Sequence, residues 1–130
     1  MKGTIQFHYD IVNDVVVAVP RWKVETPEDV LEWFRQYETY MKFFRRKMDM
    51  IMVLDHFELA PAVGVLWGEY RGRVLQTFTR HSYRVHANNR VKLYVNTSGA
   101  RYNTATQEAD SVDDAILGIK AARVTSLAAG

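Results

Sequence analysis

The chain has no cysteine among its 130 residues. That removes disulfides, thiol redox chemistry and Cys-ligated zinc, and it agrees with a cytoplasmic, reducing location. No run of about eighteen apolar residues exists, so nothing reads as a bilayer span. The N-terminus lacks the apolar stretch of a secretion signal, because Gln6, His8 and Asp10 interrupt it at every second position. Charge of one sign is scarce too. Seventeen Lys and Arg face fifteen Asp and Glu, leaving +2. The pI of about 8.9 rests on that small surplus, and neither nucleic acid nor an anionic membrane is expected as partner. Repeats, low-complexity tracts and Pro/Gly/Ser-rich linkers are missing, as are a Gly-x-Ser-x-Gly elbow and a phosphate loop. What remains is 48% hydrophobic and 25% charged. This is too apolar and too balanced for a disordered chain, and it suffices for one domain.

Hydropathy periods then divide the chain. Ile5, Phe7, Tyr9 and Ile11 alternate with polar residues, which predicts a strand with one wet face. Asn13-Asp14 suits a turn, and 15–19 is a continuous β-branched run, a strand covered on both faces. The two form an antiparallel hairpin that Pro20 is expected to end. Thr26-Pro27-Glu28-Asp29 starts a helix. Its stripe of Val30, Phe34, Tyr37, Met41, Phe44 and Met48 predicts about five turns. A second buried strand covers 50–54, and a second helix carries Val63, Leu66, Trp67, Tyr70, Val74 and Phe78. A short strand at Tyr83 and Val85, a turn at Asn88-Asn89 and a strand at Val91, Leu93 and Val95 follow. Residues 97–110 read as polar loop. Ser111 caps a last helix, and 125–130 reads as a flexible tail after a single domain over 1–124. The predicted order is ββαβαββα. It implies an α/β sandwich with a mixed, mostly parallel sheet, helices on both faces and right-handed crossovers.

The segment from Met50 to Leu75, an apolar strand ending in Asp55, a short loop and a helix from Pro61 that carries Gly64, resembles the STAS domain of anti-sigma-factor antagonists. More closely, it is similar to the uncharacterised bacterial SpoIIAA-like group. The Ser111-Val112-Asp113-Asp114-Ala115 helix opening belongs to the same resemblance, which covers most of the chain as element order. It implies a STAS-like fold and a binding role. Antagonists of this type carry a phosphorylatable Ser or Thr in the loop after that Asp. Here residues 56–63 contain neither, so the phospho-switch does not carry over.

Candidate sites each have a plainer reading beside them. Asp55, His56 and Glu58 follow the carboxyl end of a buried strand, where open α/β sheets bind ligands. They could contribute to a cation site, or His56 could act as a general base. The plainer reading has Asp55 capping backbone amides and the other two solvated. Ser98 and Arg101, in the expected loop 97–102, could cradle an anion. Gly64, Gly68 and Gly72 recur at four-residue spacing, which suits close packing inside the chain or a subunit interface. Trp33, Tyr40 and Phe43 form a second aromatic line on the first helix, a candidate partner surface unless loops cover it. Arg71, Arg73, Arg80, Arg84, Arg90 and Arg101 read best as a solvated face.

The function these observations favour is a non-catalytic bacterial regulatory or protein-interaction domain. It would present loop 55–63 to a protein partner and work as a homodimer. No cofactor or metal is expected. A module binding a small anion or metabolite between loops 55–61 and 97–102 is the alternative, and a hydrolase using His56 ranks last.

Overall fold

A computed structural model describes residues 3–102 and 106–129, with side chains described at 3–88, 91–97 and 106–125. Strands β1 (Thr4–Asp10) and β2 (Val15–Val24) pair antiparallel, Ile5 opposite Pro20 and Asp10 opposite Val15. The turn between them is held locally. Asp10 accepts hydrogen bonds from the Asn13 backbone and side-chain N–H groups at 3.1 and 2.8 Å, and Asp14 takes a left-handed φ of 53°.

Pro20 does not end β2. The Ile5 N–H, which lies opposite Pro20, donates to Gln36 Oε1 rather than to β2. Pro20 therefore directs its missing donor away from β1. On that side β2 pairs with β3 (Met48–Val53) only over Val15 to Ala18, and with β4 (Phe57–Leu59) only over Trp22 to Val24. The proline sits at the gap between two partners, where no ladder bond is forfeited.

Helix α1 (Pro27–Met41) opens with a capping box. Thr26 Oγ1 accepts from the Asp29 N–H at 3.1 Å, and Asp29 Oδ2 accepts from the Thr26 N–H at 3.2 Å. The helix is shorter than its apolar stripe. After one 3-10 turn (Lys42–Phe44), Arg45 turns left-handed at φ 53° and Met48 enters β3 instead. A second 3-10 turn (Pro61–Val63) leads into α2 (Gly64–Phe78), followed by β5 (Thr79–Val85), α3 (Asn89–Tyr102), β6 (Gln107–Ala109) and α4 (Val112–Ala129).

The sheet runs β1-β2-β3-β5-β6, with β4 extending the β3 side of β2. All pairings except β1–β2 are parallel. The architecture is α/β with a mixed, mostly parallel sheet. Its two apolar runs lie side by side, with β3 at the centre. Val16, Ala18, Met48 and Met50 face a large cluster with α1, α2 and α3, while Val15, Ile51 and Val85 face a smaller one with Ala115 and Ile119 of α4. Among the described residues, no helix is long and apolar enough to cross a membrane.

Three expected segments differ, the first being 97–110, which is not a polar loop but carries α3 as far as Tyr102 and the strand β6. Residues 91–95 are helical rather than a strand. Val91 and Val95 are buried, Leu93 is 60% exposed, and Tyr94 packs on Gly64. The buried set thus follows the helical spacing of three and four, and the apparent alternation of Val91, Leu93 and Val95 is fortuitous. Asn88 is the N-cap, its Oδ1 accepting from the Val91 N–H at 2.9 Å. The expected tail from 125 is helical backbone through Ala129, and Gly130 lies outside the described residues.

Candidate functional site

Parallel strands present their carboxyl ends together, and here that rim carries Asp55 after β3, His86 after β5 and Asp110 after β6. His86 Nδ1 lies 2.7 Å from Asp55 Oδ1, and its Nε2 lies 3.0 Å from the Asp110 carbonyl oxygen. A carbonyl only accepts, so Nε2 carries a proton. The Asp55 carboxylate and then the Asp110 carbonyl raise the His86 pKa above its ordinary value. His86 holds a left-handed φ of 61°, an uncommon conformation for a side chain of this size. With one nitrogen donating to a carbonyl and the other on a carboxylate, the imidazole has no free acceptor for a substrate proton. The imidazole thus ties the ends of β3, β5 and β6 together.

The predicted trio does not assemble around it. Asp55 is taken by His86. His56 is exposed, and its backbone carbonyl accepts from the Trp22 N–H at 3.2 Å. Glu58 is exposed on β4, beside Lys23 and Asn88 in a shallow groove of about 290 Å³. No group of three His, Asp or Glu among the described residues could hold a metal ion. Ser98 and Arg101 lie on α3, not in a loop, and their side chains fall outside the described residues. The helix starts at the carboxyl rim and returns along the sheet, so Ser98 is roughly 15 Å along the axis from Asn88. Residues 97–102 are therefore helix rather than the loop that was expected to face 55–61.

The predicted interface residues divide. Trp33 is 1% exposed and packs edge-on to Trp67, with ring centroids 5.6 Å apart. It belongs to the core. Gly64, Gly68 and Gly72 are buried as well. A Cβ on Gly64 would stand 2.1 Å from the Tyr94 ring. Gly64 therefore admits Tyr94 of α3 in the same chain, a helix that the sequence reading did not anticipate. Tyr40 stacks on Phe7 at 4.3 Å. Phe43 alone of the set is largely bare, at 83% exposure.

A second place lies beneath the helices. Trp33, Tyr37, Met50, Trp67, Arg71, Arg84, Val95 and Thr106 are among the residues lining a narrow crevice of about 30 Å³ between the sheet and α1 to α3. Two arginines read from sequence as solvated are buried in its wall, at 6% and 7% exposure. Arg71 donates to the Val95 carbonyl at 3.3 Å and to Thr106 Oγ1, and burial lowers its guanidinium to about 10. Arg84 donates from Nη1 to Asn96 Oδ1 at 3.1 Å and to the Thr106 carbonyl at 3.3 Å. Burial pushes the Tyr37 hydroxyl up to about 12, and that hydroxyl lies 2.9 Å from Thr79 Oγ1.

Arg84 Nε, Trp33 Nε1 and Trp67 Nε1 are buried with no hydrogen-bond partner among the described residues. Each such group costs about 1–3 kcal/mol if left unmet. All three are donors on residues that line one crevice. The signal for Arg71 was available: it follows Trp67 by four positions and precedes Val74 by three, a cation inside an apolar helical stripe.

No family model and no curated protein matches the chain.

At the opposite, amino end of the strands, a bulge sets Arg80 and His81 together against Asp49, between the pairs Met48–Thr79 and Met50–Ser82. Arg80 Nη2 and Arg123 Nε each donate to Asp49 Oδ2 at 2.8 Å, and the His81 N–H donates to Oδ1 at 3.0 Å. One carboxylate thus serves two guanidiniums, and Arg123 ties α4 to the sheet.

Proposed function

We propose that this chain is a non-catalytic interaction domain of STAS-like kind that presents its 55–65 rim to a protein partner and associates with a second copy of itself. The observation that carries the reading is the character of this rim. Asp55, His56, Glu58, Pro61, Ala62 and Val65 are all exposed along one stretch, and the neighbouring imidazole is engaged at both nitrogens. Such a mixture of polar groups around a bare apolar side chain suits docking better than turnover. With no Ser or Thr in 56–63, binding there would not be switched by phosphorylation of the loop.

Sedimentation velocity across a concentration series is the test. A reversible dimer is expected, weakened about tenfold by Val65→Glu or by Phe43→Glu, since either places a charge where an apolar side chain would be buried. A chain that stays monomeric throughout, or a dimer indifferent to both substitutions, overturns the self-association. A second reading, a module for a small ligand, is favoured by the three unmet donors on residues of the crevice.

A further inference from the structure

We infer that the crevice between the sheet and helices α1 to α3 binds one compact carboxylate, held by Arg84 and by the indole N–H groups of Trp33 and Trp67. The inference rests on the ligand-binding reading and names its ligand class. Three observations support it. The unmet groups are uniform in kind: Arg84 Nε, Trp33 Nε1 and Trp67 Nε1 can only donate, so their complement is an acceptor with several lone pairs. Two guanidiniums, Arg71 and Arg84, both more than nine-tenths buried, lie in the same wall. Glu108 is the carboxylate paired with Arg84, and it stands 3.9 Å away on the outer side chain of β6, 43% exposed. A buried guanidinium is best matched by a carboxylate, which takes parallel N–H···O bonds.

Size then narrows the class. A cavity of about 30 Å³ admits about two water-sized atoms, which corresponds to the two oxygens of a single carboxylate. The remaining wall is apolar at Met50, Leu54 and Val74, and its other polar side chains, Arg71, Ser82 and Thr106, are hydrogen-bonded to one another. Formate, the smallest carboxylate, comes nearest to these limits. A phosphate or a dicarboxylate exceeds them.

The test uses the three indole resonances of the full chain, one each for Trp22, Trp33 and Trp67, assigned from single Trp→Phe variants. Sodium formate is titrated, with formamide as a neutral probe of the same shape and chloride as a single-atom anion, all at matched ionic strength. Formate is expected to shift the Trp33 and Trp67 N–H signals saturably and to leave Trp22 in place. Affinity should be millimolar, as suits so few atoms. Arg84→Gln should weaken binding at least tenfold. Trp67→Phe, which removes one donor and keeps an aromatic six-membered ring at the position, should weaken it several-fold and covers the case in which the arginine variant does not fold. Formamide or chloride shifting the same signals as strongly would overturn the carboxylate assignment while leaving a ligand site. No saturable shift with any probe, or binding indifferent to both variants, would overturn the site itself.

Discussion

At the scale of single residues, the strongest forces lie on buried charge. Asp49 has a side chain only 1% exposed. Desolvation alone would raise its pKa, but the hydrogen bonds from Arg80 and Arg123 outweigh it and hold the carboxyl at about 2. A folded-state pKa below the unfolded value of about 3.9 stabilises the fold above that value. The stability is lost as pH falls from about 4 toward 2, and the shift corresponds to about 2 kcal/mol. Urea unfolding between those pH values should show this slope in the wild type and lose most of it in Asp49→Asn, which should also be less stable by about 3 kcal/mol at neutral pH because two guanidiniums lose their anion. His86 gives the opposite sign. Its pKa is raised first by Asp55, so its contribution is complete below the unfolded value and fades as pH rises through the folded one. An NMR titration should find the His86 imidazole protonated to higher pH than a free one, and Asp55→Asn should shrink the difference, leaving the part due to the Asp110 carbonyl. The sequence hid these roles because charge is read there as exposure. Arg84 follows Ser82 on the inner face of β5, but only the sheet pairing reveals which face that is.

At the scale of elements, the periodic pattern was legible for the type of the long elements, though not for their ends, since the stripe through Phe44 and Met48 outruns α1. The hairpin, the Thr26 helix start and the side-by-side apolar strands all follow from spacing that no neighbour contradicts. α3 failed because Val91, Leu93 and Val95 satisfy a period of two, while the helical set of Val91, Tyr94 and Val95 depends on Tyr94 finding a recess. Gly64 supplies it. Alanine at a helical glycine ordinarily gains up to about 1 kcal/mol, but here the new methyl would displace the Tyr94 ring. Gly64→Ala is therefore expected to be neutral to destabilising in the wild type. In a Tyr94→Ala background the same change should stabilise, and a double-mutant cycle by urea denaturation reads the reversal as a coupling of about 1 kcal/mol or more. Equal effects in both backgrounds would mean that α2 and α3 are not locked through this contact.

At the scale of the whole molecule, the two faces of the sheet are unequal. Three helices cover one face around the large aromatic cluster, while α4 alone covers the other, with a smaller cluster of five fully buried residues. α4 needs a further tie, and Arg123 provides it. From the second half of α4 its Nε reaches Asp49 Oδ2 at 2.8 Å on β3. Its Nη1 reaches the Asn13 carbonyl at 2.9 Å, and its Nη2 reaches the Asp14 carbonyl at 2.7 Å in the β1–β2 turn. One guanidinium thus joins a central strand, a turn and the C-terminal helix across more than a hundred residues of sequence. Arg123→Met keeps much of the apolar stem and removes all three bonds. It should raise amide exchange in the second half of α4 and in residues 11–14 together, because both lose the same anchor, while α1 and α2 on the far face keep their protection. Combined with Asp49→Asn the two losses should be less than additive, since the second change finds the ion pair already broken. Exchange that rises in α4 alone, or penalties that simply add, would show that the helix is held by its apolar contacts and that the arginine is incidental.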